Sequence, residues 1–408
     1  MMPPAAAENS NSIHSIGNHD TAPALMLVRI SAIGDTILAS RTHRWALEKG
    51  YRPFLVTHAS NVSLLNCMPL LAGACLVGDH DFKFLLKQNE NPDFKEVDEK
   101  QFSEAIRSAN KPTSHTTAKP LHQIIHLADL QATRRSRRTI QQLKKRLAPL
   151  GISFRRHEVS KITFWRVLLV VWCFLRFKQR AGLNPPLWLR RKLKPVYRLQ
   201  KTLLDELPSL PPVGRPDSGT RVLKSPSTDV GQPHGLEPND KHIVLLLGSS
   251  HKLKSWPQAH FRKLTELILA RTSLQIVLCG GKEDHLVANY LAYLNPSRII
   301  DLAGKTPLSE TLLLIQKASY VVTGDSFGSH AADLLGTPAS VLFGATHPLL
   351  GFAPESPHVT IHHKGYSCSP CSRHGQGECR YKNIRCLTTI TPEEVFSKIE
   401  QVLARNGQ

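Results

Sequence analysis

The segment from Leu25 to Ser40, LMLVRISAIGDTILAS, constrains the fold more than any other part of the chain. Its first six residues, Leu25 to Ile30, form an apolar, β-branched run that predicts a buried strand. A small turn with Gly34 follows, and Asp35 then opens a stretch of helical spacing. In α/β sheets such turns at the carboxyl ends of strands form ligand crevices. Asp35 is therefore a candidate site residue, and a simple helix cap is the alternative interpretation.

Composition indicates a globular protein with an unusual charge. The 408 residues, 41% apolar and 21% charged, suit two domains of ordinary size. The net charge of +20 is concentrated, because residues 134–198 contain 19 Lys and Arg against the single acid Glu158. This block favours an anionic partner, namely a phosphorylated lipid, an anionic membrane surface or nucleic acid. A merely solvated basic face is the alternative.

An apolar run inside the basic block is too short to cross a membrane. Val167 to Phe177 falls far below the roughly 20 apolar residues that a spanning helix needs. With its aromatic residues Trp165 and Trp172 it suits an interfacial helix among lipid headgroups, or else a core helix of the first domain. Residues 1–23 lack the features of a secretory signal and predict a disordered tail. We therefore expect an intracellular protein with reduced thiols.

Strand-like and helix-like runs alternate on both sides of a linker, which predicts an α/β fold with parallel sheets. The first domain is expected to contain surface excursions at residues 89–119 and a basic insertion that faces a membrane. The last part of the second domain carries a cysteine cluster. The predicted divisions are a tail at 1–23, a first domain at 24–206 with its insertion at 151–200, a Pro/Gly/Ser-rich linker at 207–240, and a second domain at 241–408 with the cysteines at 368–386.

Polar clusters follow three predicted strands of the second domain. A helix is expected to begin near His330, beside the last cluster. Hydroxyls, a lysine and exposed N–H groups at a helix amino terminus form a good cradle for an anion such as a diphosphate. The members expected to share this site are Ser249, Ser250, Lys254, Glu283, Asp325, Ser326, Gly328, Ser329 and His330.

The ordered motifs of the chain resemble glycosyltransferase family 9, the heptosyltransferases of lipopolysaccharide core synthesis. The resemblance extends from Leu25 to Leu403, and its matching pieces are RISAIGDTILAS, HLADLQATRRSRR, KSWPQAHF, DLAGKTPLSE, VTGDSFGSHAADLLGTPASVLFGATHP and CSPC with CLTTITPEEV. The resemblance implies two Rossmann-like domains that face each other across a cleft in the GT-B arrangement. It places a nucleotide-sugar donor on the C-terminal domain and a glycolipid acceptor on the N-terminal one.

The resemblance also implies roles for particular residues. Asp35 matches the general base, Lys254 a contact to the donor phosphates, and Glu283 an acidic donor contact. Asp325, Ser326 and His330 match the nucleotide-sugar loop. Phe327 departs from the pattern, because the family has glycine there and this chain has it at Gly328. Four arginines that follow a predicted strand are candidates for contacts to acceptor phosphates or carboxylates, namely Arg134, Arg135, Arg137 and Arg138.

The function expected from these features is inverting transfer of a sugar, heptose foremost, from ADP-heptose to a lipopolysaccharide-core or related glycolipid. No cofactor is expected for catalysis, and nucleic acid is not an expected partner. The expected location is cytoplasmic, peripheral on the inner face of the inner membrane, beside an anionic lipid surface. A non-catalytic or donor-altered sugar-nucleotide-binding protein of the same fold is the alternative, because of Phe327.

Four cysteines near the C-terminus, Cys368, Cys371, Cys379 and Cys386, have the spacing C-x2-C-x7-C-x6-C. A structural zinc site is one interpretation, since Zn²⁺ commonly takes a C-x2-C pair plus a second pair. The second pair here is more widely spaced than usual. Reduced packing thiols and a local disulfide or redox pair are the other two interpretations.

Overall fold

The structure is a computed structural model that describes residues 22–30, 33–78, 81–87, 93–108, 124–131, 133–159, 168–169, 171–172, 186–193, 195–208, 236, 240–249, 251–372 and 374–405. These residues form two α/β domains, each built on its own sheet, which confirms the predicted α/β class. The predicted tail, apart from residues 22 and 23, lies outside the described residues, as does nearly all of the predicted linker.

The first domain is a seven-stranded mixed sheet in the order β5-β4-β3-β2-β1-β6-β7. Strands β1, β2, β3, β6 and β7 run parallel, and β4 and β5 extend the sheet antiparallel. The strands are β1 Ala24–Val28, β2 Arg52–His58, β3 Gly73–Val77, β4 Phe82–Lys87, β5 Phe94–Val97, β6 Ile124–Asp129 and β7 Ser153–Glu158. The helices are α1 Ile33–Ala39, α2 Arg41–Glu48, α3 Glu99–Ser108, α4 Arg134–Leu147, α5 Leu187–Lys192 and α6 Val196–Asp205.

Strand β1 lies at the centre of this sheet, as its apolar sequence predicts. All five of its residues are buried, and it pairs in parallel with both β2 and β6. Val28 at its end is in register with Asp129 at the end of β6. The turns that follow these two strands therefore lie side by side at one edge of the sheet.

Two local features differ from the sequence-based expectations. Residues 89–119 were expected to be irregular, but they contain β5 and the amphipathic α3, which buries Phe102 and Ile106 one helical turn apart. These two apolar residues were hidden among charged neighbours. Residues 153–158, expected within the basic insertion, form the parallel edge strand β7.

The second domain is a six-stranded, all-parallel sheet in the order β10-β9-β8-β11-β12-β13. Its strands are β8 His242–Leu246, β9 Gln275–Cys279, β10 Ile299–Asp301, β11 Tyr320–Gly324, β12 Ala339–Leu342 and β13 Val359–His362. Its helices are α7 Gln258–Arg271, α8 His285–Ala292, α9 Leu308–Lys317, α10 Phe327–Leu335, α11 Arg385–Thr388 and α12 Pro392–Arg405. At the start of α12 the backbone N–H of Glu394 donates to the Thr391 hydroxyl oxygen.

Helix α10 begins three residues earlier than the sequence suggested, at Phe327. Its first turn packs closely on the sheet, because a Cβ at Gly328 would lie 2.4 Å from Leu246 and 2.9 Å from the Thr323 hydroxyl. Both distances are shorter than van der Waals contact. Glycine at 328 therefore allows the helix to approach β8 and β11 and fixes the position of its amino terminus.

The two domains are packed directly against each other. Leu64 and Leu65, in the 3-10 segment after β2, belong to the same buried apolar cluster as Leu312 and Ile315 of α9. Helix α1 of the first domain lies against α10 of the second. The seam between α1 and α10, with the residues that flank it, is called the interdomain seam below.

The apolar run of the basic block is described only in part. Leu169 is fully buried, and with Leu189 and Leu193 it packs against Leu350 of the second domain. Leu169 is thus buried within the protein, whereas Val171 two residues later is 44% exposed. Trp165 and the flanking residues 160–167 and 173–185 lie outside the described part. No helix among the described residues is both long and apolar enough to cross a bilayer.

Gly328→Ala tests the close packing of α10. The added methyl group has to displace Leu246 or the helix itself, so we expect a loss of about 1–3 kcal/mol in the free energy of unfolding. Chemical denaturation followed by circular dichroism measures the change. Gly78→Ala is the matched control, because its nearest neighbour would be an ordinary 3.4 Å away, and it should cost less than about 0.5 kcal/mol. Equal losses in the two variants would contradict this account of Gly328.

Candidate functional site

The carboxyl edges of the two sheets meet at the interdomain seam. Asp35 lies in the first turn of α1, directly after β1. A Cβ built on the neighbouring Gly34 would lie 3.2 Å from Phe327 Cα and 3.3 Å from His330 Cδ2. The structure thus brings Asp35 of the first domain beside the loop and first turn of α10 in the second.

Arg29 holds the Asp35 side chain. Its guanidinium forms an ion pair with the Asp35 carboxylate and also donates to the Leu130 carbonyl oxygen over 3.2 Å. Arg29 is nearly buried, at 8% side-chain exposure, whereas Asp35 retains 24%. The backbone N–H of Ile30 donates to Gln131, so the turns after β1 and β6 are tied together. The carboxylate is therefore held in place by Arg29 and stays partly exposed.

Lys254 and Asp325 meet on the second domain's side of the seam. Lys254, in the 3-10 turn after β8, places Nζ 3.0 Å from Asp325 Oδ2. The Thr346 hydroxyl donates to the same carboxylate oxygen over 2.7 Å. Asp325 is 7% exposed, so its charge is held by two partners in a poorly solvated place. The sequence analysis predicted neither the ion pair of Lys254 with Asp325 nor the hydrogen bond from Thr346.

His330 is buried beneath the seam. Burial lowers the pKa of its imidazole, and the carboxylates of Asp325, Asp35 and Asp333 counteract that effect only in part. The ring is therefore neutral at pH 7. Its Nδ1 has no hydrogen-bond partner among the described residues. A buried, neutral imidazole with an unpartnered nitrogen beside Asp35 and Asp325 is a suitable contact for a polar ligand.

A buried ion pair flanks this group and joins the domains. Arg41, the first residue of α2, pairs with Asp333 of α10, whose side chain is 2% exposed. The Ser356 hydroxyl donates to the second oxygen of Asp333. The sequence analysis did not identify this pair, since 292 residues separate its members and Arg41 lies just outside the motif that ends at Ser40.

The remaining residues of the α10 loop have different surroundings. The Ser329 hydroxyl is turned inward and donates to the Ser326 carbonyl over 2.7 Å, whereas Ser326 Oγ lies 3.2 Å from Thr323 Oγ1 and is partly exposed. Phe327 is the first residue of α10, and the described non-glycine residues with positive φ are Lys382 and Ile384. Phenylalanine therefore fits its backbone without strain, and the reason for expecting a non-catalytic protein is absent.

The clusters after β8 and β9 are arranged differently from the prediction. Ser249 lies at the end of β8, and Ser250 lies outside the described residues. Glu283 is exposed. Its neighbour Asp284 faces the sheet edge: it accepts from Gly281 N–H over 2.8 Å, and a Cβ on Gly248 would lie 1.8 Å from its carboxylate. Burial raises the pKa of Asp284. Gly248 and Gly280, which leave room for this carboxylate, were the sequence signal that could have identified Asp284.

The four predicted acceptor arginines begin α4, directly after β6. This places them at the same sheet edge as Asp35, because β6 pairs with β1. All four are exposed, and Arg137 also pairs with Glu158 over 3.0 Å. Asp129, fully buried at the end of β6, accepts from Ser136 and Arg156 and so anchors the start of this helix.

The four C-terminal cysteines lie close enough together to affect one another's charge. Burial, followed by the charge of the neighbouring thiols, raises the pKa of Cys371 to about 11 and of Cys386 to about 12. Burial likewise raises the pKa of Cys368. Within the described ranges, no three His, Cys, Asp or Glu residues are arranged to hold a metal ion. The thiols thus do not fit a zinc site as they stand, and the described cysteines are free rather than disulfide-bonded.

The sequence matches to known proteins lie mainly in the second domain. A profile of the family described as Glycosyltransferase family 9 (heptosyltransferase) matches residues 215–382. Lipooligosaccharide heptosyltransferase 2 of Haemophilus influenzae is 31% identical over 156 residues, which cover 37% of this chain and 44% of that protein. Lipopolysaccharide heptosyltransferase 2 of Escherichia coli is 30% identical over 161 residues, which cover 37% and 43%. The matched regions thus span less than half the length of these curated relatives.

Solved structures resemble both domains. The glycosyl transferase family 9 protein of Veillonella parvula covers 94% of this chain and 98% of its own, with a TM-score of 0.60 and 14% identity. ADP-heptose heptosyltransferase II of Escherichia coli covers 94% and 100%, with a TM-score of 0.54 and 18% identity. The predicted two-domain GT-B fold is confirmed by these likenesses. The sequence matches show that residues 215–382 are similar to glycosyltransferase family 9, and the solved structures show that the fold extends over both domains.

Proposed function

We propose that this protein is an inverting glycosyltransferase that moves a sugar from a nucleotide donor to a glycolipid acceptor. The observation that carries the proposal is that three features meet at one seam: the Asp35 carboxylate of one domain, and Lys254 and the amino terminus of α10 of the other. Direct displacement at an anomeric carbon needs both a base for the acceptor hydroxyl and stabilisation of the departing diphosphate.

Asp35 supplies the base in this mechanism. It accepts the proton of the acceptor hydroxyl as that oxygen attacks the anomeric carbon, and the carbon–phosphate oxygen bond breaks on the opposite face. A single displacement of this kind inverts the configuration. Arg29 keeps the carboxylate in place, and the 24% exposure of Asp35 gives the hydroxyl a route of approach. The acceptor is expected to lie along the edge that carries Arg134, Arg135, Arg137 and Arg138, where guanidinium groups suit its anionic groups.

Lys254 and the amino terminus of α10 supply the stabilisation. The ammonium and the helix dipole both favour the charge that develops on the leaving diphosphate. Ser326 and His330 are the proposed polar contacts beside it. Lys254 and the helix terminus thus provide fixed positive charge, and we propose no metal ion or other cofactor for the transfer.

ADP-heptose is the proposed donor and a lipopolysaccharide-core glycolipid the proposed acceptor. The support comes from the heptosyltransferase relatives and from an Escherichia coli heptosyltransferase solved with ADP, which has a TM-score of 0.55 and 16% identity to this chain. The proposal extends these names to the present site, whose lysine and helix terminus suit any nucleoside diphosphate.

Asp35→Asn tests the base. The amide cannot accept the proton, so we expect turnover to fall by roughly 10²-fold or more while ADP binding stays within about 2-fold. Steady-state transfer assays and calorimetric titration with ADP give the two values. Glu104→Gln, an exposed change of equal charge on α3, is the control and should retain full turnover. Normal turnover in folded Asp35→Asn protein would remove Asp35 from this role, and ADP binding without turnover in the parent would favour the non-catalytic alternative.

Lys254→Ala tests the diphosphate contact. Loss of a charge-assisted hydrogen bond should raise the dissociation constant for ADP about 10-fold or more. Lys252→Ala is the matched control, because Lys252 is exposed in the same 3-10 turn, and it should bind ADP like the parent. If the two variants bind ADP equally, the donor diphosphate lies elsewhere.

We further propose a peripheral position at the inner face of the inner membrane. Helix α5 packs Leu189 and Leu193 inward and leaves Trp188 54% exposed beside the exposed Arg190 and Arg191. An aromatic residue among basic residues suits an anionic lipid surface.

Flotation with anionic liposomes tests this surface. We expect the parent to float at low salt and to be released at about 0.5 M salt, since screening weakens such attraction. Combined Trp188→Ala, Arg190→Glu and Arg191→Glu should abolish flotation. Charge reversal at Lys398 and Arg405 on α12 is the control and should leave flotation unchanged. Flotation of both variants like the parent would exclude α5 as the lipid contact.

A further inference from the structure

The cysteine loop, defined here by the described residues 368–372 and 374–379, passes over the side chain of Lys254. A Cβ built on Gly375 would lie 2.5 Å from both Cγ and Cδ of Lys254 and 3.3 Å from His251 Cβ. Such a Cβ would overlap the middle of the lysine chain rather than its flexible end. Only a residue without a side chain leaves room for Lys254 where the structure has it.

The cysteine loop is fixed to the strand-end segment that supports Asp325. The hydroxyl of Ser369, which is 1% exposed, lies 2.7 Å from the Gly344 carbonyl oxygen and 3.0 Å from that of Thr346. The backbone N–H of Cys371 donates to the Ala345 carbonyl over 3.0 Å. The loop therefore cannot move away from Lys254 without breaking these contacts.

Lys254 is confined from the other side as well. Its Nζ is held 3.0 Å from Asp325 Oδ2, and that oxygen is also held by Thr346. The Gly375 backbone thus confines the middle of the Lys254 chain, and the Asp325 carboxylate holds its ammonium end. A lysine side chain has four rotatable bonds, and this enclosure leaves few of its rotamers accessible.

We propose that Gly375 is a positioning residue for Lys254, and that the cysteine loop thereby sets the affinity of the site for a nucleoside diphosphate. This inference rests on the proposed function, in which Lys254 contacts the donor diphosphate. The bare backbone at 375 presses the lysine chain into the orientation that aims its ammonium into the seam. A side chain at 375 forces the lysine out of that orientation and weakens the charge-assisted contact with phosphate oxygens.

The chain supplies a matched control within the same loop. Gly375 and Gly377 both have left-handed backbones, with φ of +83° and +90°, so alanine is strained at either position. A Cβ on Gly377 would have no neighbour within 4 Å. Gly375→Ala and Gly377→Ala therefore carry a similar backbone cost, and only the first collides with Lys254.

The test is calorimetric titration with ADP of the full chain and of four variants: Gly375→Ala, Gly377→Ala, Lys254→Ala and the double variant Gly375→Ala/Lys254→Ala. We expect Gly375→Ala to raise the dissociation constant for ADP about 10-fold and Gly377→Ala to leave it within about 2-fold. The double variant should bind ADP no more weakly than Lys254→Ala, because the two changes act through one contact. Because Lys254 also stabilises the leaving diphosphate in the proposed mechanism, Gly375→Ala should lower turnover at saturating donor as well, and Gly377→Ala should not.

Each failure has a distinct meaning. Equal ADP binding by the two glycine variants, or additive losses in the double variant, overturns the role of Gly375 while leaving Lys254 in place. Unchanged ADP binding in Lys254→Ala overturns the proposed donor site and this inference with it. If Gly375→Ala does not fold, the double variant decides: recovery of folding when Lys254 is shortened supports the collision, and continued failure to fold overturns it.

Discussion

The close contact between the amino termini of α1 and α10 is the constraint on which the rest of the site depends. It exists because Gly34 has no side chain at the point where Phe327 and His330 approach. Gly328 plays the corresponding part on the other side of α10, where it lets the helix settle on its own sheet. Two glycines thus set the distance from Asp35 to the Asp325 loop, and the ion pair of Arg41, at the start of α2, with Asp333 of α10 is a further link between the domains.

Much of this arrangement could be predicted from the sequence because it depends on local patterns. The apolar run before Gly34 predicted the central strand, and the alternation of strands and helices predicted parallel sheets. The second sheet is all-parallel, whereas the first is mixed. A helix that begins directly after a strand has its amino terminus at the carboxyl edge, so the positions of Asp35 and Ser326 followed from chain order. Helix α3 was overlooked since only Phe102 and Ile106 carry its apolar face.

The contacts that define the chemistry could not be predicted in the same way. Arg29 and Asp35 are close in sequence, but their pairing depends on a turn whose shape the sequence did not reveal. Thr346 contacts Asp325 although 21 residues separate them, and Gly375 contacts Lys254 although 121 residues (375 minus 254) separate them. Asp284 rather than Glu283 faces the sheet edge, and the sequence alone does not distinguish these two neighbouring carboxylates. Such relations arise from tertiary packing and carry no periodic signal.

The buried apolar cluster that contains Leu64, Leu65, Leu312 and Ile315 has a consequence for how the protein is handled. Its members come from both domains, so neither half completes its own interior. Cutting the chain between the sheets would expose contiguous apolar surface on both fragments, and surfaces of that kind promote aggregation. Separately expressed halves are therefore expected to aggregate, and the full chain is the unit in which each domain keeps its interior covered.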